Sequence, residues 1–305
     1  MSTANQNQPV RSYQPQFKQL LQAVFRTQAY FRDFFVGGEI EALDGVQHNE
    51  TAFYVKTSDI PVVVGTAYDK DANTAFGTGT GNSTRFGPRT EIIYTDTPVP
   101  YRWEWVFHEG IDRHTVNNDM QAAIADRLDL QAQAKMKLFD TKHAEFISSV
   151  AGHSETLADY SEDAVLKLFN DLATYYTNIE AIGQPVAKVR PEFYNAIVDH
   201  PIVNSAKGSS VNIDRNQVLM FKDFAIQRVP DRLFQEDEIA YIYIPGIAKA
   251  FTGINTARTI ESEDFDGVAL QGAGKAGEFI IEDNKKAVVK VTLGDGGGEN
   301  GGVEG

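Results

Sequence analysis

The sequence predicts an α+β protein in which a long two-stranded arm and a very long helix stand apart from a mixed body. Three observations carry this. Residues 118–151 contain no Gly or Pro and are filled with good helix formers. Two runs rich in β-branched and aromatic residues, 52–64 and 90–107, flank a stretch, 68–88, dominated by Gly, Thr, Asn and Asp. Beyond residue 160, short apolar runs of helical and extended character alternate.

In chain order, Phe17, Leu20, Leu21, Val24 and Phe25 recur at three- and four-residue spacing and predict a helix over 14–35, with Gly37–Gly38 as its stop. In the second extended run Tyr101, Trp103, Trp105 and Phe107 alternate with Arg102, Glu104 and Val106, the period of a half-buried strand. The polar stretch between the two runs is too poor in apolar residues to pack on itself. Asn117 or Asn118 can cap the long helix, with Asp119 favouring its N-terminal dipole. At about 1.5 Å per residue it is a rod of roughly 50 Å, long for a core element. A further helix starts near Ser161, with Glu162 and Asp163 in its first turn, and closes at Gly183 before Pro185. Residues 186–189 read as a strand and 191–199 as a helix led by Pro191. Residues 217–228 and 238–244 read as strands, and 279–282 pairs through Asp283–Asn284 with 286–292 as a hairpin. The Gly-rich acidic tail, 294–305, is expected to be disordered. An arm that cannot bury its own faces needs a surface on another molecule, so the pattern predicts an assembling protein.

Composition narrows the function. The 305 residues include 28 Lys and Arg against 42 Asp and Glu, a formal net charge of −14. Such a surface repels phosphate and argues against binding that rests on neutralising a nucleic-acid backbone, though not against enclosing DNA without gripping it. There are no cysteines, which removes thiol catalysis, disulfides and Cys-ligated metals. No secretory signal is visible, and the longest largely apolar stretch, 239–251, is interrupted by Pro245, Gly246 and Lys249. No membrane partner and no cofactor are expected.

The motifs that hint at chemistry are weak. His108, Glu109 and His114 suggest a metal-dependent hydrolase, but one helical face holds two ligands only when they are four apart, and these His are six apart. Gly77, Gly79 and Gly81 lead into neither Lys-Ser/Thr nor a helix start, so they are a loop tip and not a phosphate cradle. Asn82-Ser83-Thr84 forms a glycosylation sequon that is inert without a signal. Glu261, Glu263, Asp264 and Asp266 lack an ordered calcium-ligand series and read as a solvated turn. The remaining His show no ligand spacing, no Gly-x-Ser-x-Gly elbow is present, and Lys285–Lys286 reads as turn polarity. The aromatic ladder of 101–107 is a core or interface feature before it is a sugar platform. No catalytic, cofactor or metal residue is assigned.

The order of elements, with the phrases FDGVALQGAG at 265–274, GEFI at 277–280 and NKKA at 284–287, resembles the major capsid proteins of tailed bacteriophages with the Hong Kong 97-like fold, most of all those of phages of Gram-positive bacteria. The resemblance spans nearly the whole chain. It implies an N-terminal arm over 1–36, an extended loop (E-loop) over 37–108, a spine helix with part of the peripheral domain over 109–182, an axial domain over 183–251, and return strands of the peripheral domain over 252–293. It implies self-assembly through hexamers and pentamers into an icosahedral shell around double-stranded DNA, in the virion, after assembly in the bacterial cytoplasm. The arm is too short and too uncharged to act as a built-in scaffold, so a separate scaffolding protein and a portal protein are the expected partners. Lys56 and Lys70 lie in the E-loop, but no crosslinking partner is evident. Expected interface residues are Phe17, Phe25 and Phe35 in the arm and Arg85, Phe86 and Arg89 at the loop tip. The nearest alternative is an encapsulin-like nanocompartment shell. From other classes come the hydrolase using His108, Glu109 and His114, and a carbohydrate-binding module.

Overall fold

The computed structural model describes residues 28–43, 51–58, 60, 62, 64–66, 68, 70, 86, 91–116, 119–201, 211–212, 217–218 and 220–294. In chain order these form β1 (Phe35–Ala42), β2 (Thr51–Thr57), β3 (Thr95–Pro100), β4 (Trp103–Asp112), α1 (Met120–Val150), β5 (His153–Leu157), α2 (Glu162–Asn178), β6 (Val186–Val189), α3 (Pro191–Val198), β7 (Val211–Asn212), β8 (Gln217–Val218), β9 (Met220–Phe221), β10 (Phe224–Arg228), β11 (Glu238–Tyr243), β12 (Ala248–Glu261), β13 (Gly267–Ile280) and β14 (Val288–Leu293). The chain divides into two units: residues 46–101, and the rest.

The smaller unit is an antiparallel ladder of β2 and β3, with Thr51 opposite Pro100 and Thr57 opposite Thr95. The ladder is shorter than the sequence predicts. The run expected over 90–107 is two strands, because Pro98 and Pro100 withhold N–H donors and the chain leaves the ladder at Tyr101.

In the larger unit β4 joins a four-stranded sheet of order β1-β12-β13-β4. β12 and β13 are a 14-residue antiparallel pair that the sequence reading missed, and β4 continues it from Ala276↔Trp103 to Gly267↔Asp112. The Phe265 ring lies against Gly267 and Gly110, and a Cβ on Gly267 would sit 2.1 Å from the Ile111 carbonyl oxygen. Gly267→Ala is therefore expected to force the β4–β13 ladder apart locally, at about 1–3 kcal/mol. Thermal denaturation should register a fall of a few degrees, while Gly65→Ala, with open space around it, should leave the midpoint unchanged.

The second sheet has six strands in the order β5-β14-β11-β6-β10-β9. β11 explains its own continuous apolar run: Ala240 and Ile242 pack with Val165, Phe169 and Leu172 of α2 and Phe193 and Ile197 of α3. Tyr241 and Tyr243 point the other way and pack with Phe31, Phe34, Ala144 and Ile147. A strand covered on both faces needs no polar alternation.

Four local expectations are corrected. The predicted helix over 14–35 lies outside the described residues up to Thr27; beyond it, Arg32–Phe34 is a 3-10 turn and β1 begins at Phe35. Gly37 and Gly38 do not terminate a helix. At φ +72° and +63° they form an irregularity within β1, where the pairing with β12 shifts register. The strand predicted over 217–228 is broken by Lys222 and Asp223 at positive φ, which turn β9 back onto β10. Finally, β13 and β14 are not a hairpin: residues Glu282–Ala287 are a 3-10 helix that carries the chain from one sheet to the other. The tail beyond Gly294 lies outside the described residues.

Candidate assembly surfaces

α1 is the predicted long helix, 31 residues and roughly 46 Å, capped by Asp119, whose Oδ1 accepts from the Ala122 N–H at 3.0 Å. Asn117 and Asn118, the caps expected from the sequence, lie outside the described residues. The helix is two different objects end to end. From Phe139 to Val150 it is embedded, whereas between Met120 and Leu138 Ala123 alone is buried, and Leu128, Leu130 and Met136 are exposed.

Polar contacts fasten this strut. Arg127 grips Glu109 of β4 through two nitrogens, and Gln131 donates to the same carboxylate at 2.6 Å. The Arg127 guanidinium holds the Glu109 carboxyl below its ordinary range, against a smaller opposing effect of burial. The stabilisation is thus present above pH 4.5 and lost as pH falls through the lowered value. Glu109→Gln is expected to cost about 1 kcal/mol at pH 7, both groups being partly exposed. In urea denaturation the gap between variant and parent should narrow progressively as the pH is taken below 4.5.

Deeper in, His143 Nδ1 and Trp103 Nε1 both meet the buried Glu278 carboxylate, at 3.0 and 3.1 Å. One turn earlier, Asp140 accepts the Tyr30 N–H at 3.1 Å; burial raises its pKa and this hydrogen bond partly opposes the rise. Asp33 accepts from Lys188 Nζ at 2.8 Å and from Tyr243 OH at 3.0 Å. These bonds clasp the segment entering β1 onto α1 and the six-stranded sheet.

The predicted interface residues fare differently. Phe35 is buried in the chain's own core, edge-on to Phe34 and 4.5 Å from the His143 ring, so it is not available to a neighbour. Its place at the start of β1, rather than on an arm helix, is the reason. Phe86 is 86% exposed with its ring 5.2 Å from Tyr68. Phe17, Phe25, Arg85 and Arg89 lie outside the described residues. Sequence reasoning missed a larger apolar set on the arm: Tyr54, Val62, Val64, Ile92, Ile93 and Tyr94 are all exposed. Their β-branched and aromatic character is the signal the sequence carries, and strand propensity alone accounts for it equally well.

The hydrolase constellation does not converge. His108 and Glu109 are neighbours on a strand and point to opposite faces. His108 Nε2 lies 3.3 Å from Gln271, Glu109 is taken by Arg127, and His114 Nε2 lies 3.3 Å from Asp266. Among the described residues no group of three or more His, Asp or Glu could hold a metal ion. Among them, too, no helix is long and apolar enough to cross a membrane.

Solved structures share this architecture. The capsid structure of Cyanophage P-SCSP1u superposes with a TM-score of 0.65 at 12% identity, over 88% of this chain and 89% of the other. The mature capsid of bacteriophage PhiM1 gives 0.60 at 12% identity, over 89% of both chains. The chain has the fold of tailed-phage capsid proteins. A chain from Mycobacterium phage Che8 extends the likeness, with a TM-score of 0.61 at 14% identity over 87% of this chain and 91% of that one. No protein-family model matches the sequence, and no curated protein does. The capsid fold is therefore legible in the backbone and not in sequence identity.

Proposed function

We propose that this chain is the major capsid protein of a tailed bacteriophage, which assembles through hexamers and pentamers into an icosahedral shell enclosing double-stranded DNA. The observation that carries the reading is the capsid fold over nearly the whole chain, with an arm whose apolar side chains are uncovered. A protein that worked alone would leave Tyr54, Val62, Val64 and the 92–94 run in water; a shell gives each arm a neighbour to lie on. Each contact can be modest, since closure multiplies them, and weak pairwise contacts let misplaced subunits leave during growth. A separate scaffolding protein and a portal protein complete the reading, with assembly in the bacterial cytoplasm. The net charge of −14 suits a wall that DNA slides along without binding, if the acidic face is lumenal.

Sedimentation of the purified protein over a range of concentrations tests this. A fast fraction containing rings of five and six subunits or closed shells is expected, without stoichiometric metal. A monomer carrying one zinc per chain would overturn the reading in favour of the hydrolase.

A further inference from the structure

Between β1 and the exposed half of α1 lies a groove of about 440 Å³, lined by Ala29, Phe35 and Ile40 on one side and by Ala132, Met136 and Phe139 on the other. The three α1 residues, with His143, stand at positions i, i+4, i+7 and i+11, one face of the helix over about 16 Å. Ala132 is exposed, Met136 by 37% and Ile40 by 41%. The described residues begin on the lip of this groove. Ala29 is part of its wall, the Tyr30 N–H is bound to Asp140, and Phe31 and Phe34 turn into the core with Ala144 and Ile147. With the embedded end of α1 already covered, the residues before Ala29 have the Met136–Ala132 side to run along.

We propose that residues 17–25 of the same chain occupy this groove as a helix, laying Phe17, Leu20, Leu21, Val24 and Phe25 against the face of α1 that carries Ala132, Met136 and Phe139. Three observations select this occupant. The apolar stripe of 17–25 has the three- and four-residue spacing of that face, and as a helix it spans about 12 Å of that length. The tether is short: Phe25 is four residues from Ala29, a reach of at most about 14 Å, so the segment is held at high effective concentration beside its own groove. Charge agrees as well. Residues 1–27 carry Arg11, Lys18 and Arg26 and no acid, in a chain of net charge −14, and one turn beyond Ala132 the same face of α1 bears Asp129. The contact is made within one chain and does not rest on the shell reading. It withholds Phe17 and Phe25 from the neighbour that the sequence alone suggests for them.

Peroxide oxidation of the full chain, dilute and unassembled, followed by peptide mass spectrometry, tests this. Met136 and Met220 are 37% and 39% exposed, so without a cover they should oxidise alike. With the segment docked, Met136 is expected to react about tenfold more slowly than Met220, and Phe25→Asp, which puts a charge into the contact, should bring the two rates together. Equal rates in the parent would overturn the proposal, as would protection of Met136 that survives Phe25→Asp. Disulfide trapping gives an independent reading, since the chain has no cysteine of its own. In dilute oxidised protein Leu21→Cys/Ala132→Cys is expected to give an internally linked monomer, while Leu21→Cys/Lys137→Cys, with Lys137 turned away from that face of α1, should stay open. A link between chains, or equal linking of both pairs, would contradict docking within the chain.

Discussion

Replacing residues 70–86 with a short Gly-Ser linker is expected to yield a folded protein that forms no shells. The folding half follows from where the cores sit. The two main clusters draw on α1, α2, α3, the entering Phe31–Phe35 segment and the six-stranded sheet, and take no residue from 46–101. Near-parental melting and far-ultraviolet circular dichroism are therefore expected. The assembly half follows from the arm, whose apolar residues have no cover in their own unit. Removing residues 70–86 is expected to take away contact made once per neighbour, and on a closed lattice the loss is repeated at every subunit, so the effect is closer to abolition than attenuation. A deletion that assembled at the parental concentration would show that the arm is not the element that joins subunits.

The second large effect concerns the clasp at the start of β1. Lys188 is 97% buried by side chain, and its charge is met by Asp33, with Gln227 Oε1 at 2.5 Å. Burial already depresses the Lys188 pKa, and Asp33 only partly opposes this. Asp33→Ala leaves the ammonium buried without its counter-ion and removes the acceptor of Tyr243 OH. Breaking such a pair costs about 3–5 kcal/mol when fully enclosed, and Asp33 is 31% exposed, so about 2–3 kcal/mol is the fitting figure. For a chain of this length that is a fall of roughly 3–5 °C in Tm. Adding Lys188→Met should recover most of the loss, because a packed apolar side chain no longer needs the carboxylate. An unchanged Tm in Asp33→Ala would mean that the entering segment is held by Phe31 and Phe34 alone.

The sequence announced those elements whose signals are local. The unbroken run of α1, the Ser161 cap and stripe of α2, Pro191 at the first position of α3 and the β-branched β6 all needed only their neighbours. Most of β13 was missed because GVALQGAGKAG, poor in β-branched residues, has little strand propensity; its ladder forms because β12 and β4 flank it and Gly267 admits Phe265. The false hairpin arose from the reverse error, since Asp283–Asn284 looks like a turn but the two flanking strands belong to different sheets. At the assembly surfaces, the arm's polar outer stretch and the aromatic alternation of β4 were visible. The clasp of Asp33 and Lys188 and the grip of Arg127 on Glu109 were not, because each joins residues that only the fold brings together. Phe35 was misassigned for the same reason: an exposed helix and a buried strand entry look alike when the partner is His143, far along the chain.

The central claim, that copies of this chain close into a capsid, is tested most directly by electron cryo-microscopy of the assembled fraction. The expected reconstruction is a closed icosahedral shell of pentamers and hexamers, each subunit's β2–β3 arm crossing its neighbour beside α1. Monomers at every concentration, with or without a crowding agent, or open aggregates without five- and six-fold rings, would contradict it.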